Sequence, residues 1–447
     1  MSTRDPFKMS LKLKAGTGAL VAVWLLSLTT VVSFLPPQNG RATRTSLSIG
    51  LKLSSQTAAI CEITKDSPIS KQSTRSTWLD KGLLLSSFTD GLKTNPIVVD
   101  WLMSALVESL WKEEQAQAQL ALKESNLASP CNGPDPVFLD QLEETDRALE
   151  NMRGGDWKKN LQLYCETKRA RNGESNPLSV DLRFLYIPTA MYALRPESTS
   201  TPGKQRGRNR ADGKKRRNEI MGLLQRQLEE FASSSEGNAD VLYSIRTVTM
   251  DFDDCSVKQP EIVTNSNSLS ETDDEFPETG KQAIRQWQPH FIYVQGGNTF
   301  WLHYCMEKGD WTKDLIDACC YNPNNDNEIE SPFSAVYCGV SAGAILAGES
   351  MQTACWKEWD NPSVVPGKET YEDWADVRGL DVAGRTSIFP HMTEEWQDVA
   401  ERKTEELLES TLNAGNDDDL LSSSVCCIRD DQAYIVNGRR QTIEMLS

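Results

Sequence analysis

The sequence predicts an α/β domain built on a mainly parallel sheet with helices on both of its faces. Short apolar runs that suit strands alternate along the chain with longer helical stretches, and this alternation is typical of parallel sheets. Two of the strand-like runs end in glycine-containing turns that lead into helices. A chain of 447 residues allows two or three domains. One domain of ordinary size remains once the N-terminal segments and the predicted insertions are set aside.

The order of the elements follows from these runs. Strands are predicted at 83–86, 184–187, 241–249, 291–294 and 335–337, and helices at 98–110, 217–231 and 299–321. Near the end, Asn437-Gly438 separates two strand-like runs and predicts a hairpin with a type I′ turn. The domain is predicted to cover 80–447 with inserts at 112–178, 195–216 and 255–281. The first insert is predicted to be helical and to pack on the domain edge or over the site.

The turn after the strand at 335–337 has the sequence GVSAG at positions 339–343. This G-x-S-x-G pattern is typical of a nucleophile elbow, in which a serine lies on a sharp turn between a strand and a helix. The pattern predicts that Ser341 attacks a carbonyl carbon and that the backbone N–H of Ala342 stabilises the oxyanion. A weaker interpretation is that these small residues only allow close packing of strand and helix.

A second glycine turn, QGGNT at 295–299, follows another strand-like run, and Asn298 or Thr299 can cap the helix that begins there. The carboxyl ends of parallel strands face one crevice, so this turn is expected beside Ser341. The amides of Gly296 and Gly297 are therefore candidates for the second half of an oxyanion hole, with Asn298 in the same binding region. Phosphate binding is the weaker interpretation, because the turn has neither G-x-G-x-x-G nor a Walker lysine.

The base that a serine nucleophile requires must come from the three histidines of the chain, His290, His303 and His391. His290 precedes the strand at 291–294 and is expected at the wrong end of the sheet. His303 lies one turn into the following helix and is expected on its surface. His391 follows a short apolar run and Pro390, which discourages a continued helix. By elimination, His391 is the predicted base.

A carboxylate is expected to orient the imidazole of His391. The candidates between Ser341 and His391 are Glu349, Glu358, Asp360, Asp373, Asp376 and Asp381. Asp360 precedes Asn361-Pro362 and is therefore expected in a turn, from which it can reach a neighbouring loop. Position alone does not separate Asp360 from Glu358.

Taken together, these segments resemble the peptidase E family of serine peptidases, which includes aspartyl dipeptidase and, more distantly, cyanophycinase. QGGNTFWL at 295–302 and YCGVSAGA at 337–344 are similar to the two signature motifs of the family. The segment 390–392 is similar to the one that carries its catalytic histidine. The segment 360–362 resembles the Asp-x-Pro that carries its catalytic aspartate, so the resemblance favours Asp360. It covers about residues 80–445, with interruptions.

The resemblance implies a three-layer sandwich of the class I glutamine amidotransferase type and a serine-type peptidase. The implied substrates are small peptides, including dipeptides with an N-terminal aspartate. We expect a triad of Ser341, His391 and Asp360, an acyl-enzyme intermediate, and neither a metal nor a cofactor. Two alternatives stay open: a cyanophycinase-like hydrolase that cleaves an Asp–Arg polymer, and a catalytically silent binding module of the same fold.

The N-terminal region has the composition of targeting sequences. Residues 1–33 combine basic residues with a mostly apolar stretch, as in a signal peptide or signal anchor. Residues 34–62 are rich in Ser and Thr and have no acid before Glu62, as in transit peptides. Together they predict delivery to a plastid through the secretory route. The alternatives are secretion, an endomembrane location, or anchoring through residues 19–35.

Cysteine usage and charge bear on compartment and partners. The eleven cysteines include two adjacent pairs and no C-x-x-C spacing. They therefore predict neither a disulfide framework nor a zinc site, and they favour a reducing compartment. A net charge of −17 argues against nucleic-acid binding. The basic stretch at 204–217 is interpreted as a solvated loop that leads into a helix. A small peptide substrate is the expected partner.

Overall fold

The computed structural model describes residues 77–128, 136–152, 156–172, 178–234, 241–265, 276–320, 334–413 and 424–446. The predicted targeting segments, 1–33 and 34–62, lie outside these ranges. Within the described ranges, no helix combines the length and the apolar character needed to cross a bilayer.

A large sheet forms the centre of the described part of the chain. The strands are β1 (Lys81–Leu85), β2 (Ser179–Ile187), β3 (Leu242–Asp251), β4 (Ser256–Thr264), β5 (Phe291–Val294), β6 (Val336–Val340), β7 (Thr386–Phe389), β8 (Ser424–Cys427), β9 (Ala433–Asn437) and β10 (Thr442–Leu446). Eight of them form one sheet in the order β10-β9-β1-β6-β5-β2-β3-β4, and β7 pairs with β8. The five central strands run parallel, and β9, β10 and β4 add antiparallel edges. The predicted mainly parallel sheet is confirmed.

Helices cover both faces of this sheet. They are α1 (Pro96–Ala128), α2 (Pro136–Asn151), α3 (Trp157–Asn172), α4 (Pro202–Ser233), α5 (Thr299–Lys308), α6 (Thr312–Cys319), α7 (Ala342–Ala347) and α8 (Gln397–Asn413). Successive side chains of a strand point to opposite faces. Thus Leu83 and Leu85 enter a buried cluster with α1 and α4, whereas Leu84 enters a second cluster with α5 and α6. Burial of both apolar faces drives this three-layer arrangement, which confirms the predicted fold class.

The helix predicted over 299–321 is interrupted. Gly309, Asp310 and Trp311 separate α5 from α6, and Asp310 has a left-handed φ of 54°. A Cβ on Gly309 would lie 2.1 Å from Nε1 of the buried Trp311. Close packing of this tryptophan therefore requires glycine at position 309, because the indole occupies the space that a side chain there would need.

The basic stretch at 204–217 belongs to helix α4, so the prediction of a loop there is wrong, although most of its side chains are exposed as expected. Most of the insert predicted at 195–216 lies within the same helix. Pro202 lies in the first turn of the helix, where its missing N–H removes no helical hydrogen bond. Lysine, arginine and glutamine are also good helix formers. Arg217 at the end of the stretch is fully buried, and it donates to the hydroxyl of Thr249 at 3.1 Å.

Two other insert boundaries also differ. Helix α1 begins at Pro96 and runs unbroken past residue 112, so the first predicted insert starts inside a helix that packs on the sheet. Strand β4 lies within the predicted insert at 255–281 and closes one edge of the sheet. At the C-terminus, Asn437 pairs with Thr442. This register leaves a four-residue connection, so the predicted two-residue type I′ turn is wrong.

Candidate active site

Ser341 lies on the turn between β6 and α7 with φ 50° and ψ −107°. A positive φ is strained for any residue with a Cβ, and such strain persists only where the surroundings hold it. The N–H of Ser341 donates to the carbonyl of Leu85 at 2.8 Å, which ties the turn to the end of β1. A Cβ on Gly343 would lie 2.3 Å from the carbonyl oxygen of Val294. The second glycine of the motif is therefore required by the approach of β5.

His391 provides the partner of this serine. Its Nε2 lies 3.0 Å from the Ser341 hydroxyl oxygen. The histidine follows β7 and has a left-handed φ of 55°. Its N–H donates to the hydroxyl of Ser86 at 2.7 Å, and that hydroxyl donates to the carbonyl of Ile428 at 2.7 Å. The imidazole is thus carried by a loop that is fastened to the segments following both β1 and β8.

Asp430 completes a chain of three side chains. Its Oδ1 lies 2.6 Å from Nδ1 of His391, on the side of the ring opposite Ser341. A proton on Nδ1 that is donated to this carboxylate leaves Nε2 free to accept the proton of Ser341. The side chain of Asp430 is 48% exposed and that of His391 27% exposed. The three groups therefore have the geometry of a nucleophile, a base and an orienting acid at a solvent-accessible surface.

The structure corrects the prediction that Asp360 orients the imidazole. Oδ2 of Asp360 accepts hydrogen bonds from the N–H of Thr299 at 2.8 Å and from its hydroxyl at 2.5 Å. This carboxylate is therefore engaged by Thr299, the first residue of α5, and burial raises its pKa. Glu358, the alternative that position had left open, is exposed. Neither residue occupies the place beside Nδ1 that Asp430 fills.

Asp430 is not among the carboxylates predicted from sequence, because it follows His391 in the chain and those candidates all precede it. Strand β8 pairs parallel to β7, so their carboxyl ends lie side by side. His391 follows the end of β7 by two residues, and Asp430 follows the end of β8 by three. The available signal was the apolar run at 425–428 followed directly by Arg429-Asp430. This segment resembles the ends of other strands in the sequence. Only the pairing of β7 with β8 shows that Asp430 lies beside His391.

The turn at 295–299 lies against the nucleophile as predicted from the parallel sheet. A Cβ on Gly296 would lie 2.9 Å from the Cβ of Ser341. Ala342 begins α7 immediately after the serine. Asn298 acts as the cap of α5, because its Oδ1 accepts from the N–H of Trp301 at 2.8 Å. The structure therefore brings Gly296 and Ala342 to the site, and it engages the Asn298 side chain in holding the turn.

Gly297 has φ 147°, and a Cβ there would lie 2.4 Å from the carbonyl carbon and oxygen of Ala190. We expect Gly297→Ala to lower the free energy of unfolding by about 2 kcal/mol or more, because both the strain and the clash must be relieved. Displacement of the turn will also reduce turnover. Gly367→Ala is the control, because Gly367 has φ 80° but open space around it. Thermal or urea unfolding of both variants measures the difference, and equal losses would show that the clash is unimportant.

The other two histidines have structural roles. His290 is fully buried at the amino end of β5, where Nδ1 accepts from the N–H of Arg183 at 3.0 Å and Nε2 lies 2.9 Å from Glu113. Burial lowers its pKa. His303 is also buried, with Nε2 2.9 Å from the carbonyl of Arg378, so its predicted place on the helix surface is wrong. The choice of His391 by elimination agrees with this geometry.

Comparison with known proteins finds a family match over part of the chain. Residues 275–443 match the model of peptidase family S51. No curated protein matches the sequence. A solved structure of a candidate peptidase E protein from Listeria monocytogenes EGD-e shares 15% identity over 62% of this chain and 91% of its own, with a TM-score of 0.27. A likeness of that size supports no conclusion by itself. The family match spans Ser341, His391 and Asp430, so the part of the chain that carries these three residues is similar to peptidase family S51.

Proposed function

We propose that this protein is a serine-type peptidase that hydrolyses small peptides through Ser341, His391 and Asp430. The observation that carries the proposal is the continuous contact from the Ser341 hydroxyl to His391 Nε2 at 3.0 Å and from His391 Nδ1 to Asp430 at 2.6 Å. A nucleophile, a base and an acid within hydrogen-bond reach form the arrangement that activates a serine.

In the first half of the proposed reaction, Ser341 Oγ attacks the scissile carbonyl carbon and His391 Nε2 takes the hydroxyl proton. The Asp430 carboxylate stabilises the imidazolium that results. The carbonyl oxygen becomes an oxyanion, for which the N–H groups of Gly296 and Ala342 are the candidate donors. The C–N bond then breaks, and His391 transfers its proton to the leaving amine. The acyl group stays on Ser341 as an ester.

Water completes the cycle. His391 removes a proton from a water molecule whose oxygen attacks the ester carbonyl. The bond from the carbonyl carbon to Ser341 Oγ breaks, and the serine oxygen takes the proton back from His391. The products are a carboxylic acid and the free enzyme. These steps use only the side chains and amides named above.

For the substrate, we propose small peptides, and among them dipeptides with an N-terminal aspartate. The match to peptidase family S51 and the resemblance of the two glycine motifs to those of peptidase E support this proposal. The alternatives from the sequence are cleavage of an Asp–Arg polymer and a silent fold. No contact among the described residues favours either alternative over the peptide substrate.

A substrate panel tests this proposal. The panel holds dipeptides with N-terminal Asp, Glu, Ala or Leu, one N-acetylated Asp dipeptide, one decapeptide and cyanophycin, with products identified by mass spectrometry. We expect the unblocked Asp dipeptides to be cleaved fastest and the decapeptide to keep its internal bonds. Release of Asp–Arg units from cyanophycin with no dipeptide cleavage would establish the first alternative. No hydrolysis of any substrate would favour the silent fold.

A further inference from the structure

An exposed tryptophan lies against the catalytic imidazole. The side chain of Trp359 is 61% exposed, and its ring centroid is 5.9 Å from that of His391. Other large apolar side chains that are strongly exposed in the described part of the chain lie on helices and on edge strands, and Trp359 is the one tryptophan among them. An indole exposes a large apolar area, and tryptophan is enriched where one protein surface binds another molecule.

Lys357 contacts this indole through its ammonium group. Its ammonium lies 4.4 Å from the centre of the Trp359 ring, 4.5 Å from that of Phe389 and 5.2 Å from that of Trp396. Burial lowers the pKa of Lys357 to about 8, so the group keeps its charge at neutral pH. A cation over an aromatic face is attracted by the ring quadrupole, most strongly for tryptophan. The indole is thus fixed by a charged contact.

The same ammonium connects the tryptophan to the backbone of the catalytic histidine. Lys357 Nζ donates to the carbonyl of Pro390 at 3.1 Å and to the carbonyl of His391. Trp396 supports Trp359 from the side with an edge-to-face contact at 5.8 Å. The position of Trp359 relative to the imidazole is therefore preset before any substrate arrives, which keeps the entropy cost of using it as a binding surface low.

The chemistry of the imidazole indicates which part of a substrate this ring meets. In the proposed reaction His391 Nε2 gives its proton to the leaving amine, so the residue on the leaving-group side of the scissile bond must pass beside the imidazole. Trp359 lies beside that ring, whereas Gly296, a candidate oxyanion donor, lies against Ser341. A side chain on the leaving-group residue is the part of the substrate nearest to the indole.

We propose that the exposed face of Trp359, backed by Lys357, binds the side chain of the leaving-group residue and favours a neutral apolar or aromatic one. This inference rests on the proposed serine peptidase function. An apolar side chain gains binding free energy when it covers exposed indole surface, and an aromatic side chain makes a ring contact in addition. A basic side chain gains less binding energy, because the positive charge of Lys357 already lies against the ring.

The test compares substrates that share one acyl residue and differ only in the leaving group. Peptides with a Phe, Leu, Gly or Lys leaving-group residue are assayed beside a methyl ester of the same acyl residue. The enzymes are wild type, Trp359→Ala, Trp359→Phe and Lys357→Met. Ile262→Ala on the far edge strand β4 removes another exposed apolar side chain and serves as the control. Labelling by a fluorophosphonate measures the reactivity of Ser341 independently of the leaving group.

For wild type we expect kcat/KM to fall in the order Phe, Leu, Gly, Lys. Trp359→Ala will lower kcat/KM for the Phe and Leu peptides by about 10-fold, mainly by raising KM. A change of about 10-fold is the usual scale for the loss of one apolar contact in a pocket. The Gly peptide, the methyl ester and the labelling rate will change by no more than about twofold. Trp359→Phe will restore most of the preference. Lys357→Met will weaken the preference, because the indole loses its cationic support.

Three results would overturn the inference. One is no change in the ratio of Phe to Gly peptides in Trp359→Ala. Another is an equal loss on every peptide and on the ester, which would mean that the ring only supports His391. The third is a wild-type preference for the Lys peptide. These results differ from a failure of the proposed function itself, in which wild type would neither react with the fluorophosphonate at Ser341 nor cleave any of the substrates.

Discussion

Ser341→Ala is expected to lower turnover of the best peptide substrate by on the order of 10³-fold or more, as for other triad serines. The variant removes the one oxygen that His391 Nε2 contacts at 3.0 Å. The turn keeps its backbone bond to Leu85 and its glycine neighbour Gly343, so the fold should be preserved. The measurement is kcat/KM on purified protein together with a thermal unfolding curve.

Ser363→Ala is a suitable control, because Ser363 is an exposed serine in the short 3-10 helix Pro362–Val364. We expect wild-type activity from it and nearly the same unfolding temperature for both variants. Activity within a factor of a few of wild type in Ser341→Ala would remove this serine from the mechanism. A loss of activity accompanied by unfolding would require Ser341→Cys, which keeps a nucleophilic atom in place, to separate the two causes.

Asp430→Asn is expected to lower kcat by on the order of 10²-fold or more. An amide at this place accepts a hydrogen bond less strongly, can favour the wrong imidazole tautomer and cannot stabilise the imidazolium. The effect should be smaller than that of a fully buried triad acid, because the Asp430 side chain is 48% exposed and its charge is partly screened. Steady-state kinetics with a peptide and with an ester substrate measure the loss.

Asp431→Asn changes the neighbouring, exposed carboxylate by the same chemistry and should leave kcat unchanged. Asp360→Asn keeps an oxygen that can accept from Thr299, and it should cost less than Asp430→Asn. If the order of the two losses is reversed, the orienting role belongs to Asp360, as the family resemblance had suggested. If Asp431→Asn lowers kcat as much as Asp430→Asn does, the loss of activity reflects the negative charge of this loop in general and not the contact of Asp430 with His391.

The parts of the site that could be predicted from sequence are those encoded by local patterns. Ser341 lies within five consecutive residues that specify a strand, a turn and a helix start, and Gly296 follows its strand in the same way. Because β5 and β6 are parallel neighbours, both turns lie at the carboxyl ends of the strands, on the same side of the sheet. His391 could be identified because only three histidines compete for the role, and two of them are buried in structural contacts.

The acid could not be found by the same reasoning. Its place depends on the pairing of β7 with β8, two short strands that are separated in sequence by the whole of α8. Asp360 was favoured because it lies in a turn of the right kind, but that carboxylate is engaged by Thr299. The basic stretch on α4 was predicted to be a loop because of its high charge. Its lysine, arginine and glutamine residues also favour a helix, and the structure shows a helix there.

The most direct test of a Ser341 nucleophile activated by His391 is to locate the adduct left by a fluorophosphonate. Ser341 Oγ should attack phosphorus and expel fluoride, which gives a single adduct by intact mass and a modified peptide that contains Ser341. We expect no adduct in Ser341→Ala and greatly slowed labelling in His391→Ala. An adduct on another residue, or labelling of wild type that is unaffected by either substitution, would contradict the proposed mechanism.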